Sequence, residues 1–366
     1  MKIIIVQKSN FISCPPIISV LLILRDLGWP VELITISLTN EWREILERKD
    51  VKYFEIADSS IKGRIGQIIS YLNYRRRVKS ILEEKSKEGE KFVLWVEGAH
   101  TILALGKILN KWNSVLHILE LHEKNNYQLH AISRVIHNAS AVVMPEYNRA
   151  VFYQIWFKLS RRPFVLPNKP YFMLSSDDIE RYSDKYRDKL KVFKSKKVIL
   201  YQGHIGIERD MTPYLNAMKK LGDEFQFVVL GKDHGAVTKY RNILPSLIHI
   251  DFIPAPEYLI FTKNAYIGIV SYVPSDLNNA YCAPNKIWEC TNYGLPILAN
   301  DIPGLKYTIE YSGAGVCVDE NNEADIIRGI KAIDENYNRY SMNSIKFCQS
   351  ADNKLLIKNI VEGVAK

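Results

Sequence analysis

Short apolar runs alternate with helix-length amphipathic stretches along most of this chain. Lys2–Val6, Val31–Ile36, Val51–Ile56, Phe92–Val96, Ser114–Leu119 and Ala141–Met144 are predicted as strands. Between them, Pro16–Leu27, Gly63–Lys87 and Tyr127–Asn138 carry apolar residues at helical spacing. Ser160–Tyr171, with three prolines, breaks the pattern and reads as a linker. The pattern then restarts, with strands at Val198–Tyr201, Phe225–Leu230, Leu247–Ile250, Ile267–Ser271, Pro296–Ala299 and Gly315–Val318. Helix starts are expected near Met211, Ala236, Pro256, Asn285, Leu305 and Glu323, and Tyr337–Lys366 reads as helical. Such alternation predicts βαβ units on parallel sheets. The expected fold class is therefore α/β, two tandem Rossmann-like doubly wound domains with a cleft at the carboxyl ends of their strands. The boundaries read as 1–165 and 166–340, with 341–366 a C-terminal helix packing back toward the first domain.

A chain of 366 residues, 47% of them apolar, is long enough for two such cores. The net charge of +9 is unevenly placed. Residues 1–165 hold 24 Lys/Arg against 16 Asp/Glu, and the remainder 25 against 24. The first half therefore suits an acidic partner. Ile61, Ile65, Ile68 and Leu72 at helical spacing, followed by Arg75, Arg76, Arg77 and Lys79, could lie on an anionic membrane. A helix packed on the sheet with solvated charges is the other reading. The basic stretches lack interleaved aromatics, so no nucleic-acid partner is expected.

The five cysteines form no Cys-x-x-Cys pair, which suggests reduced thiols in a cytosolic protein. Met1–Val6 reads as a strand rather than a signal peptide, and Ile17–Leu24 is far short of a membrane span. A cytoplasmic protein, at most resting on the inner face of a membrane, is the expectation. Asp177-Asp178, His117 and His122 lack metal-ligand spacing, so neither a metal nor a cofactor is expected.

Chemistry concentrates in Cys282-Ala283-Pro284-Asn285-Lys286-Ile287-Trp288-Glu289, which runs into Gly294-Leu295-Pro296. Lys286 and Glu289, three apart at the start of a predicted helix, share a face. Free N–H groups in that first turn favour an anion. A phosphate beside Lys286 and a sugar hydroxyl on Glu289 imply a nucleotide-sugar. A second segment, Tyr201-Gln202-Gly203-His204-Ile205-Gly206, leads from a strand to Arg209. Its glycines allow close approach to a phosphate, and Arg209 can grip one bidentately. Alone, this segment reads equally as a turn with a surface arginine.

These features together resemble the GT-B glycosyltransferases, and among them the retaining, family-4-like "group 1" enzymes. The resemblance covers residues 195–335 and is weaker over 1–165. It implies that Gly203 begins the diphosphate loop, with His204 and Arg209 near the donor phosphates. Pro284, Asn285 and Lys286 belong to the same site. Glu289 matches the second glutamate of a Glu-x7-Glu motif that binds the ribose hydroxyls. The first glutamate falls at Tyr281, so the contact to the donor sugar is altered. Phe252 and Ile253 fall where main-chain groups hold the base. His122 corresponds to a strand-end histidine directed at the donor sugar or phosphate, and a structural histidine is the other reading. Glu97 and His100 end the preceding strand and are placed on the acceptor side.

The implied activity is metal-independent, retaining hexosyl transfer from a nucleoside diphosphate sugar, UDP-linked by preference. The acceptor is a glycan or a lipid-linked glycan, and the setting is bacterial surface-polysaccharide synthesis. Arg209, Lys286 and His122 would be the catalytic groups. Two other readings remain open. One is a catalytically silent GT-B subunit, suggested by Tyr281. The other is a nucleotide-sugar epimerase of the same fold.

Overall fold

Runs of aliphatic and β-branched residues form the strands, because a strand covered on both faces must be apolar along its whole length. The computed structural model describes residues 1–58, 63–123, 126–171, 173–206 and 209–365. Ile61 of the predicted amphipathic helix and residues 207–208 of the predicted phosphate loop lie outside them. The chain divides into two units, Met1–Tyr171 with Asp352–Lys366, and Phe172–Ala351.

The first unit is built on β1 (Lys2–Gln7), β2 (Val31–Thr35), β3 (Lys52–Glu55), β4 (Phe92–Glu97), β5 (Ser114–His117), β6 (Ala141–Met144) and β7 (Phe164–Val165). All pairings are parallel, in the order β3-β2-β1-β4-β5-β6-β7. On one face, Ile3, Ile5, Val93, Trp95 and Val115 meet Ile17, Leu21 and Leu24 of helix Pro15–Asp26. That helix begins with two prolines, whose fixed φ suits a first turn. Ile357, Ile360, Val361 and Val364 of helix Asn353–Ala365 complete the same core.

The second unit carries β8 (Lys197–Gln202), β9 (Phe225–Leu230), β10 (Ile248–Ile250), β11 (Ile267–Val270), β12 (Ile297–Asn300) and β13 (Gly315–Val318), ordered β10-β9-β8-β11-β12-β13. Alternate residues of β8 enter different cores. Val198 and Leu200 pack on one face, Ile199 and Tyr201 on the other. Helices therefore cover both faces, as the unbroken apolar strands require.

Several boundaries differ from expectation. The predicted linker contains β7, whose short run pairs with β6 before Pro167 ends the ladder. The division falls after Tyr171 and again after Ala351, where 165 and 340 were expected. Tyr337–Lys366 is two helices, Tyr337–Ser350 in the second unit and Asn353–Ala365 in the first. Tyr127–Asn138 is an α-helix to Ser133 followed by a single tight turn at Ile136–Asn138. The β5 strand stops at His117, two residues before the predicted end. Helices Asn40–Arg48, Gly98–Leu105, Tyr147–Trp156, Ser176–Lys185 and Arg187–Ser195 were not among the stretches singled out in the sequence.

Candidate functional site

In the second unit, the loops after β8 and β9 touch through their glycines. Gly203 (φ +133°) and Gly231 (φ +148°) lie where L side chains rarely go. A Cβ on Gly231 would stand 1.9 Å from the Gly203 carbonyl oxygen. A Cβ on Gly203 would stand 2.9 Å from the Lys286 ammonium. The structure thus joins two segments that are more than eighty residues apart in the chain.

Helix Asn285–Asn292 brings Lys286 there from its first turn, with Pro284 at its N-cap. The Lys286 Nζ lies 4.5 Å from the centre of the Tyr201 ring. Burial, and then the Arg209 charge, hold its pKa down to about 8, although Glu289 pulls it upward. Arg209 lies over Tyr272, its guanidinium carbon 3.7 Å from the ring centre. Among the described residues, neither cation forms an ion pair. Two cations, a helix N-terminus and exposed main chain at Gly203 together make an anion cradle.

Glu289 is 6% exposed and belongs to a buried network. Tyr258 donates its hydroxyl to Oε1 at 2.6 Å, and Gln202 donates its amide to Oε2 at 2.8 Å. Thr262 in turn donates to Gln202 at 2.7 Å. Burial raises the Glu289 pKa, and these hydrogen bonds and Lys286 oppose the shift. Each carboxylate oxygen keeps a further acceptor site. Glu289 is thus held rigidly beside Lys286, with capacity left for a hydroxyl.

His204 is exposed and stacks on His234, ring centres 4.1 Å apart. Phe252 and Ile253 part ways. Phe252 is 67% exposed, whereas the Ile253 side chain is in the core, so that residue offers a ligand only its main chain. Tyr281 ends helix Leu277–Ala280, and its main chain packs against Gly304.

In the first unit, Gln7, Glu97 and His117 line up in register at the carboxyl ends of β1, β4 and β5. Burial foremost, helped by the Glu120 charge, raises the Glu97 carboxyl to about 7, and the Cys14 thiol donates to it at 3.7 Å. His100 bonds the Tyr71 hydroxyl through Nδ1 at 2.8 Å and the Gln128 amide nitrogen through Nε2 at 3.0 Å. Burial and the Lys8 charge lower its pKa. His122 is half-buried in the loop after β5 and is pushed down to about 4 by burial, then by His100 and Arg149. It is neutral near pH 7, suited to accept or donate a hydrogen bond but not to act as a cation.

Lys286, Arg209 and Gly203 are therefore brought together in one unit, with Glu289 one turn along the same helix. In the other unit Glu97 is the last residue of β4, His100 is in the first turn of helix Gly98–Leu105 and not at the strand end as expected, and His122 is in the loop after β5. Tyr201, Tyr272, His234, Gln202 and Tyr258 were missed in the sequence. They lie on elements far apart in the chain, and an aromatic under a cation leaves no spacing signal.

Residues 183–346 match the family described as glycosyl transferases group 1. No curated protein matches the chain in sequence. Solved structures share the fold. HepE of Anabaena, in complex with UDP and glucose, superposes with a TM-score of 0.73 at 13% identity, covering 100% of both chains. A glycosyltransferase of Rickettsia africae gives 0.74 at 14%, covering 99% of this chain and 97% of that one. Sucrose-phosphate synthase of Thermosynechococcus elongatus gives 0.71 at 14%, covering 99% and 98%. The fold is GT-B.

Proposed function

We propose that this chain, a group 1 glycosyltransferase by residues 183–346, moves a hexosyl group from a UDP-sugar to a hydroxyl of a glycan or lipid-linked acceptor, with retention at the anomeric carbon. The observation that carries the donor half is the Lys286 ammonium seated on the Gly203 main chain, with Arg209 as a second cation. Breaking the anomeric C–O bond leaves a full charge on the departing diphosphate. Fixed cations and helix N–H groups aimed at that charge stabilise the transition state without reorganising. These side chains supply the compensation for which a metal would otherwise serve, so the transfer is proposed to be metal-independent. Glu289 would take the ribose hydroxyls. UDP is favoured as the donor nucleotide because HepE of similar fold binds it.

The first unit would hold the acceptor through Glu97 and His100. Neutral His122 would hydrogen-bond the transferred sugar. No two of the five cysteines form a disulfide, which supports a reducing compartment. Among the described residues no helix is long and apolar enough to cross a membrane. We place the protein at the inner face of a membrane, touching it peripherally through the basic first unit, in surface-polysaccharide assembly.

Calorimetry with UDP, GDP, ADP and their sugars, paired with turnover assays, tests the reading. Micromolar UDP binding is expected, with Lys286→Ala and Arg209→Ala each losing on the order of a hundredfold in turnover. Normal turnover by Lys286→Ala would overturn the diphosphate assignment. A silent subunit is the second reading, favoured by Tyr281 where a sugar-binding carboxylate is expected. UDP binding without hydrolysis or transfer from any UDP-sugar would select it.

A further inference from the structure

Helix Gly63–Lys87 changes its relation to the core halfway along. Its buried stripe runs Gly66, Ser70, Tyr74, Val78, Leu82, one residue every four. In the second half that stripe is large and apolar, as packing on a sheet requires. In the first half it is only a glycine and a serine. The large apolar residues there face the other way. Ile65 is 72% exposed, Ile68 58% and Leu72 54%. Spaced at i, i+3 and i+7, they form one stripe opposite the buried one. Arg76 and Lys79 prolong that stripe, Lys79 with Glu83 at 3.7 Å, whereas Arg77 is exposed on another side of the helix. Arg75 is committed elsewhere, donating to the Ala104 and Leu103 carbonyls.

The same helix walls the acceptor side of the first unit. Lys8, just past β1, donates to Ser70 at 2.6 Å and lies over the Tyr71 ring at 4.9 Å. Tyr71 in turn holds His100.

We infer that Ile65, Ile68 and Leu72, with Arg76 and Lys79, form the face by which this protein docks on an anionic lipid bilayer, presenting its acceptor side to lipid-linked substrate. The charge pattern selects this occupant. An aliphatic strip that gives way to cations along one helix matches the boundary where acyl chains meet anionic headgroups. The excess of eight positive charges over residues 1–165 draws the same surface to the bilayer. The inference deepens the acceptor reading above, and its test does not depend on the donor.

The test is flotation of the full chain with vesicles of phosphatidylcholine alone and of phosphatidylcholine mixed with phosphatidylglycerol, at low and high salt. Wild type is expected to float with the anionic vesicles, less so at high salt, and to stay behind with the neutral ones. The triple variant Ile65→Ser, Ile68→Ser, Leu72→Ser should lose at least tenfold in vesicle affinity. Arg76→Gln with Lys79→Gln should weaken binding and flatten its salt dependence. UDP calorimetry on each variant should be unchanged, which also reports that the chain is folded. Absence of wild-type flotation, or equal flotation of the triple variant, would overturn the inference. So would a wild-type dimer in sedimentation that the triple variant breaks, since the occupant would then be a second copy. Loss of UDP binding in wild type would defeat the donor reading and leave the flotation result standing by itself.

Discussion

Lys286 shows how a residue legible in sequence gets its chemistry from its surroundings. Its place in Pro-Asn-Lys-x-x-Glu suggested an anion contact, but nothing local suggested that its pKa would fall to about 8. Burial disfavours the ammonium, and the Arg209 charge disfavours it further. The sign of the pH effect follows. The diphosphate needs the protonated form, which is present below the free-state pKa and lost as pH rises through it. UDP affinity, followed by calorimetry, should therefore decline from about pH 7 to about pH 9. Lys286→Arg keeps its charge over that range and should remove the decline. A flat wild-type profile would show that the lysine does not meet the phosphates. Tyr272 and Tyr201 were invisible beforehand, because a ring under a cation is a contact across elements.

At the scale of elements, the loop pair after β8 and β9 decides whether the cradle exists. The loop after β8 was recognisable as a strand-to-loop turn with glycine, and the strand before the other loop was predicted to end at Leu230. That Gly231 must stay bare because it presses on the Gly203 carbonyl was not. Gly231→Ala forces a Cβ into that oxygen at a φ of +148°. Backbone strain of this kind costs ~1–3 kcal/mol. For a unit of this size that lowers the melting temperature by roughly 5 °C. Calorimetric melting checks the first effect and UDP titration the second, since a displaced Gly203 should also weaken the donor site. An alanine variant that melts and binds like wild type would mean the two loops are not in contact. Among the helices, Pro16–Leu27 was predictable from its long apolar stripe. Gly98–Leu105 was not, because it follows β4 with no intervening turn signal.

At the scale of the whole molecule, the chain closes on itself. The last helix, Asn353–Ala365, belongs to the first unit although more than 180 residues separate it from Tyr171. Ile357 and Ile360 are sealed into the core around helix Pro15–Asp26, and Asn353 donates to the Pro167 carbonyl at 2.8 Å. Ile357→Ala should cost about 2–5 kcal/mol in urea unfolding, the usual range for a buried isoleucine. Leu355→Ala, at a side chain half in water, should cost far less. Equal small losses at both positions would mean the helix contributes no core.

The sequence by itself determined the two α/β halves, most strand positions, and the segment around Lys286, Glu289 and Gly203. These are readable because apolar run length, helical spacing and glycine placement act over a few residues. Tertiary structure alone decided the rest. It set Lys286 over Gly203 and Arg209 over Tyr272, and enclosed Glu289 between Tyr258 and Gln202. It separated exposed Phe252 from buried Ile253. It also turned Ile65, Ile68 and Leu72 outward where helical spacing alone left both faces possible. Each of these depends on which surfaces meet after the chain has folded. Burial, charge proximity and ring contact are properties of that meeting, and a local pattern does not encode them.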